Sequence, residues 1–165
     1  TVYSEPGQGT TFKIYLPLTT DIPQEAAETD GTPPLPEGHG ETVLLVEDES
    51  RLRNLYTQFL NHLGYTVLTA ETPQETLELF SKHPDEIQLL LTDVVMPEMN
   101  GKELAEAIRA VNPAIHVLFM SGYTADIIAD RGVLEQDATF ISKPFSCDDL
   151  ARKIHDVLNA KLTRT

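Results

Sequence analysis

The chain has little cysteine, few basic residues and no long hydrophobic run. Cys147 is the single cysteine of 165 residues, so no disulfide can form within the chain, and no Cys/His cluster has the spacing of a zinc site. This cysteine usage fits a reducing compartment, and we expect a cytoplasmic location. Lysine and arginine number 12 against 26 acidic residues, a formal net charge of −14. Since nucleic-acid binding requires a basic surface, we expect no nucleic-acid partner.

The hydrophobic runs, such as residues 43–46 and 117–120, are far too short to span a bilayer, and no basic-then-apolar leader opens the chain. We therefore expect no membrane contact by this chain. It begins Thr1-Val2-Tyr3 without an initiator Met, and we interpret it as an internal fragment of a longer parent that could itself be membrane-bound. Its length and its 41% hydrophobic content predict one globular domain with a flanking segment.

The first 40 residues differ in composition from the rest. In residues 1–18, the turn-rich stretch 4–10 precedes Phe12, Ile14 and Leu16, which alternate with polar residues, a pattern that predicts a loop entering one strand. Residues 19–40 are rich in proline and acidic residues and contain no Lys or Arg, which is typical of a solvated linker. Residues 41–165 are left to form the domain.

From residue 41 onward, short apolar runs alternate with amphipathic helical patterns, which indicates βαβ units and a parallel sheet. The predicted strands are residues 43–46, 65–69, 89–92, 115–120 and 139–142. A first helix should end at Gly64, because an apolar stripe at helical spacing precedes this glycine: Leu52, Leu55, Tyr56, Phe59, Leu60 and Leu63.

Four more helices complete the predicted alternation. Thr72 and Pro73 should begin the second, and the third should stop before Asn112-Pro113. A weakly periodic fourth covers residues 124–131, and the last should begin at Ser146, with Asp149 at the capping-box position. Five strands and five helices result.

Polar residues follow four of the predicted strands. The first strand ends in Glu47-Asp48-Glu49, the third in Asp93, the fourth in Ser121 and the fifth in Lys143. Taken singly, these could be caps, turn residues or exposed charges. The carboxyl ends of parallel strands, however, meet at the edge where open α/β sheets bind ligands, which favours a shared site.

Crowded carboxylates repel one another, and a hard cation such as Mg²⁺, held by carboxylates and phosphate oxygens, offsets that repulsion. The pattern therefore predicts a Mg²⁺-assisted phosphoryl site. Asp93 would be the nucleophile that forms an acyl phosphate, Ser121 a hydrogen-bond donor, and Lys143 a positive charge for a phosphoryl oxygen.

In this order and spacing, residues 42–160 resemble a response-regulator receiver domain, on the segments Glu47-Asp48, 93–101, 120–123 and 140–145. The resemblance implies a flavodoxin-like (βα)₅ doubly wound fold with strand order 2-1-3-4-5, and phosphorylation of Asp93 by a phosphohistidine. It also implies that Asp48, Asp93 and the backbone carbonyl of Val95 ligate Mg²⁺ directly, while Glu47, in place of the commoner Asp, acts through water.

Three further features carry over from the same resemblance. Ser121 stands for the commoner Thr, and Phe140 matches an aromatic position that turns inward when the Ser121 hydroxyl reaches the phosphoryl group. Plain core packing is the alternative for Phe140. The Lys143-Pro144 bond matches a cis peptide of the family.

Residues 4–12 resemble the last glycine box and final strand of a histidine-kinase ATP-binding domain. That resemblance implies that residues 1–18 are a remnant of that domain and that the parent is a hybrid sensor histidine kinase. The rest of the ATP-binding domain and a phosphoacceptor-histidine helix are missing from the sequence, so we expect this chain only to accept phosphate and lose it slowly.

The expected partners are the dimerisation and phosphoacceptor domain of the parent kinase and a histidine phosphotransfer protein. Phosphate on Asp93 would pass to a downstream histidine or regulate the kinase. A haloacid-dehalogenase-type hydrolase is one alternative, but Val95 stands where that family needs a second Asp. Another is a docking module that is not phosphorylated, against which the retention of Asp48, Asp93, Ser121 and Lys143 argues.

Overall fold

The computed structural model describes residues 1–15, 34–122 and 138–160 of the chain. These residues divide into two compact units, Thr1–Pro33 and Pro34–Thr165. None of the helices in the described ranges is long and apolar enough to cross a lipid bilayer.

The described part of the first unit is a β-hairpin. Strand β1 (Val2–Glu5) pairs antiparallel with β2 (Gly9–Phe12), and Gly7 and Gly9 have φ values of 80° and 90°, which glycine adopts without strain. The predicted single strand was therefore wrong, because the first residues of the turn-rich stretch pair with its last ones instead of forming an open loop. Large apolar side chains on this hairpin and just after it are exposed: Val2, Tyr3, Phe12, Ile14 and Tyr15.

The second unit is built on a five-stranded parallel sheet. Its strands are β3 (Thr42–Val46), β4 (Thr66–Ala70), β5 (Ile87–Asp93), β6 (His116–Ser121) and β7 (Phe140–Ser142). Their spatial order is β4-β3-β5-β6-β7, and all four pairings are parallel. The predicted strand order 2-1-3-4-5 is thereby confirmed, and β3 lies beside both β4 and β5, as a doubly wound sheet requires.

Four helices lie in the described part of this unit: α1 (Ser50–His62), α2 (Pro73–Lys82), α3 (Gly101–Val111) and α4 (Cys147–Asn159). Thr72 caps α2, and Asn100 and Ser146 form capping boxes at α3 and α4, so the first backbone N–H groups of these helices find acceptors. Gly64, with φ 91°, ends α1 as predicted. The predicted helix over residues 124–131 lies outside the described residues.

The two faces of the sheet carry separate hydrophobic cores. Within β3, Val43 and Leu45 belong to one core, and Leu44 and Val46 to the other, and all four side chains are completely buried. This alternation follows from the strand period of two. Residues of α1 and α4 contribute to the first core, and residues of α2 and α3 to the second.

Residues 34–40, which the sequence places in the linker, belong to the second unit and pack against the rest of it. Leu35 packs against the first core, and the backbone N–H groups of Gly38 and Gly40 donate to the carbonyls of Leu63 and Gly64 at 2.7 and 3.2 Å. Gly38 lies so close to the Tyr65 ring that a Cβ atom there would come within 2.7 Å of a ring carbon. This stretch therefore packs against the domain despite its linker-like composition.

Gly101, the first residue of α3, should tolerate no larger side chain, because a Cβ atom there would overlap the backbone carbonyl of Asp93. Alanine has a higher helix propensity than glycine, which favours the folded state, whereas the overlap with the Asp93 carbonyl disfavours it. We expect Gly101→Ala to lower the free energy of unfolding by about 1–3 kcal/mol, the usual cost of overpacking. Denaturant unfolding measures the change.

Gly122→Ala is the matched control, since no atom lies within 4 Å of a Cβ atom at that position in the described structure. If both variants were as stable as the parent protein, the close approach of Gly101 to Asp93 would be wrong.

Candidate functional site

The parallel registers bring four polar residues to one edge of the sheet. Asp93 and Ser121 are the last residues of β5 and β6, while Glu47 and Lys143 directly follow β3 and β7. Val46 pairs with Thr92, and Ser121 pairs with Ser142, so the strands reach this edge nearly level with one another. The prediction that these strand ends meet is confirmed by the sheet.

Lys143 joins two of the predicted carboxylates. Its Nζ donates to Asp93 Oδ2 at 2.7 Å and to Glu47 Oε2 at 3.1 Å. The Lys143 backbone N–H donates to the Ser121 carbonyl at 2.6 Å, and the Lys143-Pro144 peptide is cis, as predicted. The ammonium is thus held between the ends of β3 and β5 by a segment that is itself attached to β6.

Both carboxylate oxygens of Asp93 have a donor. Oδ2 accepts from Lys143, and Oδ1 accepts the backbone N–H of Val95 at 3.2 Å. The following backbone is also fixed, because the Val94 N–H donates to the Met120 carbonyl at 2.9 Å. The Asp93 side chain keeps 18% of its surface exposed. It is therefore oriented by two donors yet still reachable from solvent.

Glu47 is the most deeply buried ionisable group of the site, with 2% of its side-chain surface exposed. Its Oε1 accepts the Glu49 backbone N–H at 3.3 Å. Burial raises the pKa of Glu47, the hydrogen bond and charge of Lys143 counteract the rise, and the charge of Asp93 adds to it. The pKa of Lys143 is also raised, because the two carboxylates outweigh the opposing effect of burial on the ammonium.

Asp48 lies at the same edge, but its side chain makes no contact with Lys143, Glu47 or Asp93 in the described structure, and Val95 contributes only its backbone N–H, to Asp93. Both residues are exposed, and the Asp48 backbone carbonyl accepts from Arg53 at 3.3 Å. Over the described ranges, no three His, Cys, Asp or Glu side chains gather closely enough to hold a metal ion. Lys143, rather than Asp48, is what contacts Glu47 and Asp93, so the roles of Asp48, Asp93, Val95 and Glu47 toward Mg²⁺ stay predictions.

Ser121 and Phe140, the predicted switch pair, sit on neighbouring strands. Ser121 is 1% exposed. Phe140 is half-buried, pairs in register with Phe119, and packs against the second core. Because Phe140 packs against the core yet is only partly buried, both the switch role and plain core packing are compatible with its position. Its switch role stays a prediction.

Two residues near the site were not predicted from the sequence. Arg53 of α1 donates to the backbone carbonyls of Glu47 and Asp48, and the ring of Tyr56, also on α1, stacks on Phe145 at a centroid distance of 5.6 Å. Phe145 follows the cis Lys143-Pro144 peptide by one residue. Arg53 had only a partial signal in the sequence, since the helix dipole opposes a cation in the first turn of a helix but Arg51 lies in the same turn. Tyr56 had no such signal, because an aromatic residue in the apolar stripe of a helix is explained by core packing alone.

Comparison with known proteins agrees with this geometry. The profile of a family described as "Response regulator receiver domain" matches residues 43–155. The sensor kinase CckA of Brucella abortus is 37% identical over 161 residues, covering 94% of this chain, and the chain spans only 17% of that kinase's length. The response regulator receiver protein CpdR of the same organism is 34% identical and covers 72% of this chain and 97% of its own.

Solved structures give the same result. The receiver domain of the hybrid histidine kinase CckA aligns with a TM-score of 0.61 and 31% identity, over 72% of this chain and 99% of that domain. A receiver domain from Clostridium thermocellum aligns with a TM-score of 0.64 and 26% identity, over 72% and 94% of the two chains.

The matched residues include Glu47, Asp93, Ser121 and Lys143 and cover residues of all five strands of the parallel sheet. The chain therefore belongs to the response regulator receiver domain family, the phosphoacceptor domains of two-component signalling.

Proposed function

We propose that this chain accepts a phosphoryl group on Asp93 from a phosphohistidine of a histidine kinase. The observation that carries the proposal is the Asp93 carboxylate itself, which two donors orient and which remains partly exposed at the ligand-binding edge of the sheet. Membership of a phosphoacceptor family supports the same assignment.

In the proposed transfer, one carboxylate oxygen of Asp93 attacks the phosphorus of the phosphohistidine. The new O–P bond forms as the P–N bond to the imidazole breaks, and the electron pair of that bond stays on the imidazole nitrogen. Little covalent chemistry is asked of the protein, because positioning and charge neutralisation account for most catalysis of phosphoryl transfer. Lys143, already in contact with Asp93, supplies one of the positive charges.

Mg²⁺ would supply the rest of the neutralisation. Receiver domains in general bind this ion, and the edge offers the hard oxygen donors it prefers, with more carboxylates than the single ammonium can offset. Asp48, Asp93 and the Val95 carbonyl would hold the ion directly, and Glu47 would act through water. Lys143 would contribute its charge, and Ser121 a hydrogen-bond donor, to the phosphoryl oxygens.

We place the receiver at the C-terminal side of a hybrid histidine kinase in the cytoplasm. Residues 34–165 are four fifths of the chain, so a match to the CckA sensor kinase over 94% of it has to include part of residues 1–33. The hairpin β1–β2 would be the remnant of the kinase ATP-binding domain, whose remaining residues could cover its exposed apolar side chains. Phosphate on Asp93 would pass to a histidine phosphotransfer protein or regulate the parent kinase.

We expect Asp93→Asn to abolish phosphorylation, because an amide oxygen is too weak a nucleophile to form the acyl phosphate. With acetyl phosphate and MgCl₂, intact-mass spectrometry should show one added phosphoryl group on the parent protein and none on the variant. The matched control is Asp85→Asn, since this exposed carboxylate lies beyond the opposite end of β5. An adduct that survives on Asp93→Asn would place the acceptor elsewhere.

Replacing Glu47 by Gln should stabilise the fold at neutral pH, because burial opposes the charge of this carboxylate and raises its pKa. A raised pKa means that the folded protein binds this proton more tightly than the unfolded chain. Stability is therefore lost as pH rises from the ordinary glutamate value, about 4.3, through the folded pKa.

Thermal unfolding between pH 4 and pH 7 tests this, and the advantage of Glu47→Gln should shrink as pH falls. Glu106→Gln, an exposed position on α3, should leave the melting temperature unchanged. A lower melting temperature for Glu47→Gln at pH 7 would mean that its ion pair with Lys143 outweighs its burial.

If Ser121 and Phe140 form the switch, a phosphoryl mimic at Asp93 should change the surroundings of Phe140. We expect beryllofluoride with MgCl₂ to shift the amide and ring resonances of Phe140 far more than those of Phe80. Phe80 is the comparison because it is a buried aromatic residue of the same core, on α2. An unchanged Phe140 would leave core packing as its only role.

A further inference from the structure

Arg53 reaches back over the beginning of its own helix. It is the fourth residue of α1, and its side chain is only 16% exposed. A cation in the first turn is opposed by the helix dipole, and this turn contains no acidic side chain that would compensate. The guanidinium must therefore gain its stabilisation from contacts outside the helix.

Those contacts go to the loop that carries the acidic pair. Arg53 Nη1 donates to the backbone carbonyl of Glu47 at 2.5 Å and to that of Asp48 at 3.3 Å. Two consecutive carbonyls are thus bound by one nitrogen, in the segment between β3 and α1. Because the backbone of this segment decides where the Glu47 and Asp48 side chains begin, the contacts restrict both of them.

The other arm of the guanidinium is anchored on a different loop. Nη2 donates to Glu71 Oε2 at 3.1 Å, just after β4. The Glu71 backbone N–H in turn donates to Glu75 Oε2 at 2.7 Å, in the first turn of α2. The planar guanidinium can donate in two directions at fixed angles, which the single ammonium of a lysine cannot do. Arg53 therefore ties the acidic loop to the neighbouring β4–α2 connection.

We propose that Arg53 is a positioning residue for the cation site, one that holds the Glu47-Asp48 backbone in the orientation that Mg²⁺ binding needs. It touches neither the metal nor the phosphoryl group and acts through the two carbonyls. The proposal rests on the proposed function, because it assumes that Asp48 and Glu47 serve a Mg²⁺ ion. The proposal adds Arg53, which lies outside the Glu47-Asp48 pair, to the residues that serve this site.

The sign of the effect separates positioning from simple charge. Arg53 is a positive charge near a site for a cation, so if only its charge mattered, removing it would strengthen Mg²⁺ binding. If its hydrogen bonds position the acidic loop, removing them should weaken binding. Loss of residues that orient metal ligands commonly lowers metal affinity by about 10–100-fold.

The test is a MgCl₂ titration of the full 165-residue chain, followed by amide resonances and with no phosphate donor present. We expect Arg53→Gln and Arg53→Lys each to raise the Mg²⁺ dissociation constant by about tenfold. Arg51→Gln is the matched control: Arg51 is an exposed arginine of the same helix end, and its side chain makes no hydrogen bond or ion pair to the described residues. This variant should bind Mg²⁺ as well as the parent protein or slightly better.

Thermal unfolding of each variant checks that it is folded. Should the Arg53 variants fail to fold, Glu71→Gln decides, since Glu71 is 62% exposed and its replacement weakens one arm of the guanidinium. It should raise the dissociation constant about twofold, a fraction of the full effect. Phosphorylation by acetyl phosphate at saturating MgCl₂ should remain close to the parent rate in the Arg51→Gln control.

Two outcomes would overturn the proposal without touching the proposed function. One is a folded Arg53→Lys protein that binds Mg²⁺ as tightly as the parent, and the other is tighter binding by Arg53→Gln. If the variant that decides is Glu71→Gln, unchanged binding has the same meaning. Failure of the parent protein itself to bind Mg²⁺ and accept phosphate would instead remove the proposed function, and this proposal with it.

Discussion

The central ladder of the sheet, in which Val46 of β3 pairs with Thr92 of β5, sets the separation of the carboxylates that follow these residues. Glu47 and Asp93 are the next residues along the two strands, so the pairing of Val46 with Thr92 makes them neighbours. Adjacent parallel strands lie about 4.8 Å apart, a spacing that one ammonium can bridge. Lys143 does so from the end of β7, two strands further along the sheet.

This geometry concentrates charge where solvent can screen it only in part. Glu47 is buried and its pKa is raised, whereas Asp93 keeps access to solvent and Asp48 is exposed. Neighbouring carboxylates are thus divided by environment, which is the usual way for a site to give similar groups different roles. The buried Glu47 shapes the site electrostatically, and the more accessible Asp93 is the carboxylate that we propose accepts the phosphoryl group.

The backbone around the site is held from several directions. The Val94 N–H bonds the end of β6, Gly101 packs against the Asp93 carbonyl, and Arg53 bonds the carbonyls of Glu47 and Asp48. The first of these contacts joins segments far apart in the chain, and the other two come from helices that begin a few residues after the strands they support. Functional groups placed on rigid elements and supported by such contacts keep their geometry better than groups on unsupported loops.

The sequence by itself determined the parallel α/β architecture and the edge at which the site lies. Apolar runs that end in Glu47, Asp93, Ser121 and Lys143 predict both, because side-chain periodicity defines each strand and parallel strands share one carboxyl end. Tertiary structure decided what spacing along the chain cannot encode. Lys143 contacts Glu47 and Asp93 while the Asp48 side chain stays outside, residues 6–8 join two paired strands, and Leu35 packs against the core. The physical reason is that periodicity records which face of an element is buried, whereas contacts between side chains depend on how separate elements pack and on which charges burial leaves unpaired.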